Sequence, residues 1–185
     1  MRNGKGLPCR PHRNASAGWL ESRGSEDEIA NQVHDKLGVP IIYVVSNPSS
    51  YAYLDPERPA GANSELRPFG DARNCTTYDN WPYGLKNRSG YTAKISDDQL
   101  KRQLASRSVT YLLGELDILP LGGFDSSCPA MAQGPTRLAR GQTFASYVNT
   151  KYKAQHKAIV IPLCGHNARC MFTAELALPI LFPKM

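Results

Sequence analysis

The segment AIVIPLCGHNARCMF, residues 158–172, joins a short apolar run to a glycine, a histidine and the start of a predicted helix. The apolar run is continuous and rich in β-branched residues, which is typical of a strand that is buried on both faces. Gly165 permits a tight turn that directs the imidazole of His166 out of the edge of the sheet. The segment therefore predicts a strand followed by a helix, with a titratable side chain between them.

The same design occurs once earlier, in VTYLLGELD, residues 109–117, where an apolar run is followed by Asp117. Open α/β sheets build their sites from residues just beyond the carboxyl ends of their strands. An acid and then a histidine, each placed beyond a strand, suggest a charge-relay pair in which the carboxylate orients the imidazole. Glu115 is close enough in sequence to share or take the role of Asp117.

Helical and strand patterns alternate along the rest of the chain. Helices are predicted over about 26–37, around 78–85, from Asp97 to about Ser106, over 136–152, and from Ala168 to about Leu181 with a break at Pro179; strands are predicted over 39–45, 109–113 and 158–163. Strands that alternate with helices predict an α/β fold with a short parallel sheet flanked by helices. Residues 1–13 are predicted to be disordered, residues 14–185 to form one domain, and residues from about 51 to 95 to form a long cap or lid excursion.

Length and composition exclude several classes of protein. The chain of 185 residues is long enough for one domain with a sizeable core but not comfortably for two. Its net charge of +6 comes from scattered lysines and arginines, so no nucleic-acid partner is predicted. No window approaches the roughly 18 apolar residues of a membrane span, and no apolar core follows Met1 as in a signal peptide. The default expectation is a cytoplasmic protein, or a secreted one if the amino terminus is truncated.

The cysteines and the remaining histidines do not form a metal-site pattern. Five cysteines include no Cys-x-x-Cys and no His/Cys cluster at zinc spacing, so neither a metal nor an organic cofactor is predicted. A disulfide between Cys128 and Cys170 and a set of reduced, partly buried thiols both remain open. His12 and His156 flank polar segments and are expected to be solvated, and His34 is expected on the polar side of the first helix.

A nucleophile that precedes the acid and the histidine is sought in the first part of the chain. Ser16, in Asn14-Ala-Ser-Ala-Gly18, has the only setting that resembles the nucleophile elbow G-x-S-x-G. The segment keeps the second glycine of that pattern but has Asn14 in place of the first, and no strand pattern precedes it. Ser49 and Ser50 follow the first strand and are expected to line the floor of a pocket.

These motifs resemble the carboxyl-terminal half of the α/β-hydrolase family, in its esterase-like branch. YLLGELD, residues 111–117, resembles the strand that delivers the acid; PLCGHN, residues 162–167, resembles the last strand and its histidine; VVSNPSSYAY, residues 44–53, resembles an earlier strand and its exit loop. The resemblance covers about residues 14–183 and implies a triad of Ser16, Asp117 and His166 with no cofactor. The first strands and the oxyanion-hole loop of that family have no counterpart here.

Two functions follow from this comparison. The first is a serine hydrolase that acts on an ester, amide or thioester of a small apolar compound. The second is a truncated, non-catalytic remnant or ligand-binding pseudoenzyme that keeps the sheet and the pocket. Because strands are missing from such a sheet, an exposed edge and self-association through it are also expected.

Overall fold

The computed structural model describes residues 41–61 and 64–183. Three parallel strands, β1 (Ile42–Ser46), β4 (Ser108–Gly114) and β5 (Lys157–Ile161), form the central sheet of the protein. Their order in the sheet is β1–β4–β5. Ser46 pairs with Leu112 and Gly114 pairs with Ile161, so the carboxyl ends of all three strands meet at one edge of the sheet. The predicted strands and their parallel arrangement are confirmed.

Helices cover both faces of this sheet. The helical elements are α1 (Asp97–Ser106), α2 (Cys128–Met131), α3 (Arg137–Tyr152), α4 (Ala168–Thr173) and α5 (Leu178–Leu181), with a 3₁₀ helix over Gly90–Lys94 before α1. The side chains of Ser96 and Thr136 accept hydrogen bonds from the backbone N–H groups of Gln99 and Ala139, and so cap α1 and α3. The α/β fold class predicted from the sequence is confirmed.

The two faces of β4 carry separate hydrophobic clusters. Val109, Tyr111 and Leu113 face α3 and pack with Phe144 and Val148. Leu112, on the opposite face, packs with a cluster that contains residues of α4, among them Met171. Alternate residues of a strand point to opposite faces, so a strand covered on both faces must be apolar at every position. A fully buried side chain of this size contributes about 1.5–3 kcal/mol, and β4 is therefore the centre of the core.

Residues 51–95 begin inside the core before they form the predicted excursion. Tyr51 and Tyr53 are buried, and each stacks or packs edge-on against Phe144 of α3. The chain then forms an antiparallel hairpin of β2 (Glu57–Ala60) and β3 (Glu65–Pro68), which the sequence did not predict.

The helix predicted around 78–85 is wrong, because this segment forms consecutive turns. In a helix the carbonyl of Tyr78 would accept from the N–H of residue 82, but Pro82 has no N–H. The buried guanidinium of Arg58 donates to that carbonyl instead, at 2.8 Å, and to the carbonyl of Tyr83 at 3.1 Å.

The closing helix is also shorter than predicted. It ends at Thr173, and α5 begins as a separate helix at Leu178. Pro179 does not cause the break; it lies in the first turn of α5, where no N–H is needed. The predicted helix over 26–37 and the predicted disorder over 1–13 lie outside the described residues.

Candidate active site

Asn47 ties the carboxyl ends of the three strands together. Its buried side chain donates from Nδ2 to the carbonyl of Gly165 at 3.0 Å and accepts at Oδ1 from the N–H of Gly114 at 2.7 Å. A Cβ atom at Gly114 would lie 2.5 Å from the carbonyl oxygen of Cys164, so only glycine permits this close approach. The turn that carries His166 is therefore held to β1 and β4, a role for Asn47 that the sequence analysis missed.

Asp117 and His166 lie side by side at this edge. The Oδ2 atom of Asp117 is 3.0 Å from Nδ1 of His166, and the side chain of Asp117 is only 2% exposed. An ionised carboxylate only accepts hydrogen bonds, so Nδ1 is the donor in this contact, and in the neutral ring with that tautomer the lone pair is on Nε2. The His166 side chain is 34% exposed, and no residue in the described part of the chain forms a hydrogen bond with Nε2.

Arg137 holds the other oxygen of Asp117. Its buried guanidinium donates from Nη1 to Oδ1 of Asp117 at 3.1 Å and to the carbonyl of Leu121 at 2.9 Å. It also donates from Nη2 to the carbonyl of Gly122 at 3.0 Å. The sequence analysis did not identify Arg137, although a basic residue at the first position of a helix, where a cation is unfavourable, is a signal that can be read from sequence.

Gly122 packs against the ring of His166. Its φ angle of +58° favours glycine, and a Cβ atom at this position would lie 3.1 Å from Cδ2 of His166. The imidazole is thus confined between the loop that contains Gly122 and the carboxylate of Asp117. This arrangement restricts the orientation of the ring, while the His166 side chain stays 34% exposed.

A disulfide encloses the histidine turn. Cys164 and Cys170 are bonded, with Cα atoms 5.7 Å apart, and His166 lies inside the short loop that they close. A second disulfide joins Cys75 in the excursion to Cys128 beyond β4. The disulfide considered between Cys128 and Cys170 is therefore wrong, because each of these cysteines is bonded to another one. The alternative of reduced thiols is equally wrong for these four residues.

Large apolar side chains are exposed on the two segments that carry Asp117 and His166. They lie on the segments that follow β4 and β5, and all are at least half exposed: Leu116, Ile118, Leu119, Leu121 and Leu163, the last of them 79% exposed. We call these five residues the apolar rim. Exposed aliphatic side chains grouped at one edge mark an interaction surface more often than isolated ones do.

The other residues considered from the sequence lie elsewhere. Glu115 accepts from the backbone N–H of Leu163 at 2.9 Å, whereas Asp117 contacts the imidazole. Ser49 and Ser50 are buried, and the hydroxyl of Ser49 accepts from the N–H of Asp125. Ser16 lies outside the described residues, as do His12 and His34, so the structure places only two members of the proposed triad.

His156 is not solvated as expected but buried. Its Nε2 lies 2.9 Å from the carbonyl of Leu104 and its Nδ1 lies 3.0 Å from the hydroxyl of Tyr111. Burial lowers the pKa of this imidazole, and the hydrogen bond to the carbonyl of Leu104 opposes that shift only in part. Both ring nitrogens are satisfied in the neutral form, so His156 is a structural residue of the core.

The described residues contain no cluster of three or more histidine, cysteine, aspartate or glutamate side chains that could hold a metal ion. No helix among them combines the length and apolarity needed to cross a membrane.

Comparison with known proteins gives matches among solved structures. No family model matches the chain, and no curated protein matches it. The structure of LpqC, a poly(3-hydroxybutyrate) depolymerase from Bordetella parapertussis, is 21% identical with a TM-score of 0.51, and the match covers 77% of this chain and 40% of that chain. A poly(aspartic acid) hydrolase-1 from Sphingomonas sp. KT-1 is 22% identical with a TM-score of 0.51, over 78% of this chain and 46% of that chain.

The chain spans less than half the length of either of these solved structures. Their identity to this chain is low, and the likeness concerns the fold alone, a parallel sheet with helices on both faces. The described part of the chain therefore has an α/β-hydrolase-type fold.

Proposed function

We propose that this chain is a serine hydrolase that acts on an ester, amide or thioester of a small apolar compound. The observation that carries the proposal is the contact between Asp117 and Nδ1 of His166, whose side chain is 34% exposed and whose Nε2 has no hydrogen-bond partner among the described residues. A carboxylate that fixes the tautomer of an imidazole is the arrangement that activates a serine in acyl transfer. In an α/β-hydrolase-type fold, both residues lie where that chemistry requires them, just beyond the ends of neighbouring strands.

Ser16 is the nucleophile in this proposal. Its hydroxyl oxygen attacks the carbonyl carbon while Nε2 of His166 takes the hydroxyl proton, and the imidazolium then returns that proton to the leaving alcohol, amine or thiol. Water repeats the sequence on the acyl-enzyme and releases the acid. Asp117 keeps the imidazole in the required tautomer throughout.

The apolar rim supports an apolar substrate. Five exposed aliphatic side chains on the segments that carry Asp117 and His166 favour a substrate whose acyl or alcohol part is hydrocarbon. The names of the two structural neighbours refer to a polyester and a polyamide, which are both cleaved at a carbonyl carbon. They agree with an ester or amide substrate but differ too much from each other to name the compound.

A fluorophosphonate probe tests the proposal. We expect the wild-type chain to be labelled, Ser16→Ala and His166→Ala to lose the label, and Ser50→Ala to keep it, since Ser50 is buried and forms no hydrogen bond with Asp117 or His166. A folded wild-type protein that is not labelled, or a Ser16→Ala variant that still is, contradicts the proposal. Equal ester turnover by wild type and His166→Ala would instead favour the ligand-binding pseudoenzyme.

A further inference from the structure

We propose that Arg137 is a positioning residue of this site, which holds the Asp117 carboxylate and the loop at Leu121–Gly122 so that the imidazole of His166 keeps its proton on Nδ1 and its lone pair on Nε2. The catalytic consequence rests on the proposed function. The effect on the imidazole does not, because it depends only on contacts among described residues.

One guanidinium joins the two parts that confine the imidazole. Arg137 donates to Oδ1 of Asp117, whose other oxygen meets Nδ1 of His166. The same side chain donates to the carbonyls of Leu121 and Gly122, and Gly122 packs against the carbon edge of the imidazole. Planar donors in a fixed fork suit this task, since they set the distance between several acceptors at once.

The position of Arg137 in its helix is electrostatically unfavourable for a cation. It is the first residue of α3, where the helix dipole disfavours a cation, and the first turn has no acidic residue to offset it. Its side chain is 1% exposed, so the charge is also removed from water. Among the described residues, Asp117 is the one carboxylate that forms an ion pair with Arg137, and α3 therefore places a buried cation beside the site.

Loss of this cation changes what the buried carboxylate can do. Oδ1 of Asp117 would lose the charged donor that it meets and would remain out of water. The carboxylate would then no longer be held in the orientation in which Oδ2 meets Nδ1 of His166. A general base needs its lone pair at a fixed and accessible position, and without that contact nothing among the described residues fixes the lone pair on Nε2.

Kinetics of Arg137→Met provide the first test, with Arg140→Met as the matched control. Arg140 lies one turn further along α3, is equally buried, and contacts the same Phe124 ring. It donates to the carbonyls of Ser49, Asp125 and Gly134 and not to Asp117.

We expect kcat to fall about 100-fold in Arg137→Met, which is the scale of a small misplacement of a catalytic group. Its KM should stay within about twofold of the wild-type value. Arg140→Met should keep the wild-type kcat per folded molecule.

Arg137→Lys keeps the charge but not the fork, and we expect its kcat to lie between those of wild type and Arg137→Met. It also replaces the methionine variant if that variant does not fold. A folded variant at position 137 with wild-type kcat overturns the proposal, and so does an equal loss of kcat in Arg140→Met.

Imidazole ¹⁵N chemical shifts provide a second test that needs no activity. The His166 signals are assigned by their absence in His166→Gln, and the shifts separate the Nδ1–H form from the Nε2–H form and from the imidazolium. We expect wild type and Arg140→Met to show the Nδ1–H form, and the folded variant at position 137 to depart from it. Unchanged His166 shifts in that variant overturn the proposal. A chain that the fluorophosphonate probe does not label would refute the hydrolase and still permit this measurement.

Discussion

Two carboxylates lie at opposite ends of α3, and both accept several hydrogen bonds. Asp117 lies at the start of the helix and contacts Arg137 and His166. Asp55 lies near its end, where Oδ2 accepts from the hydroxyls of Tyr147 and Tyr152, both at 2.8 Å, and Lys151 lies 3.0 Å away. Burial alone would raise the pKa of Asp55, but the hydrogen bonds from Tyr147, Lys151 and Tyr152 outweigh it and lower that pKa below its ordinary value.

The two networks differ in where they end. The donors around Asp55 connect the excursion to α3, and the hydroxyl of Tyr147 also accepts from the N–H of Leu54, so each polar group is used within the fold. The network of Asp117 instead ends at Nε2 of His166, which is exposed and has no described partner. A closed network stabilises the fold, whereas an open one leaves a reactive atom available; the count of hydrogen bonds does not separate the two cases.

The largest predicted effect is a loss of ester hydrolysis when Asp117, but not Asp55, is replaced by asparagine. Asp117→Asn should lower kcat by about 10⁴-fold, because an amide in place of the carboxylate favours the wrong tautomer of the histidine. Asp55→Asn should keep kcat per folded molecule within about twofold and lower the free energy of unfolding by about 1–3 kcal/mol. The measurements are ester hydrolysis and urea unfolding of both variants.

Equal losses of activity in the two variants, once corrected for the folded fraction, would show that Asp117 has no special role. A large loss in Asp55→Asn alone would reverse the assignment of the two networks.

The two disulfides can also be compared by their effects on stability and on kcat, and we expect their effect on kcat to be smaller than that of Asp117→Asn. Cys75–Cys128 closes a sequence separation of 53 residues and Cys164–Cys170 one of 6. By loop-closure entropy, replacing the first pair by alanines should lower the free energy of unfolding by about 4 kcal/mol and the second by about 2 kcal/mol. The order of the effects on kcat per folded molecule should be opposite, because only the second loop contains His166.

Thermal unfolding and ester hydrolysis of both double variants check this prediction. If Cys164→Ala/Cys170→Ala keeps wild-type kcat, Asn47 and Gly122 are sufficient to hold the turn. Two disulfides are typical of proteins in an oxidising compartment, which differs from the cytoplasmic default that the sequence suggested.

Sequence patterns predicted the sheet and its edge because those features depend on local periodicity. The continuous apolar runs around Leu112 and Ile159 could only be buried strands, and the residues just beyond such strands must meet at one edge. The neighbourhood of Asp117 and His166 followed from that rule. Their catalytic roles remain predictions, and so does the role of Ser16.

Long-range contacts account for what the sequence did not predict. Asn47, Arg137 and the cysteine pairs act across separations that no periodicity records, and their partners are backbone carbonyls as often as side chains. Arg58 shows the same limit, since it binds the carbonyls of Tyr78 and Tyr83, which lie 20 and 25 residues further along the chain. Buried arginine and asparagine side chains need hydrogen-bond partners, and only the tertiary fold determines which backbone carbonyls these partners are.

The smallest predicted effect concerns His156, the buried counterpart of His166. Burial lowers the pKa of His156 in the folded state relative to its ordinary value of 6.5. The unfolded chain therefore binds a proton at a higher pH than the folded protein does. The stability that His156 contributes is complete above its unfolded-state pKa and is lost as pH falls through the lower folded-state pKa.

We therefore expect the free energy of unfolding of the wild type to decrease as pH is lowered from about 7 to 5, and His156→Gln to flatten this dependence. Tyr111→Phe is the matched control, because it removes the hydroxyl that His156 meets but keeps the imidazole buried. Denaturant unfolding at a series of pH values measures both slopes. An unchanged slope in His156→Gln would mean that other groups, such as Asp55 with its lowered pKa, account for the acid sensitivity. A slope lost equally in Tyr111→Phe would mean that the hydroxyl, rather than burial, keeps the imidazole neutral, and the closed network would then depend on that single hydrogen bond.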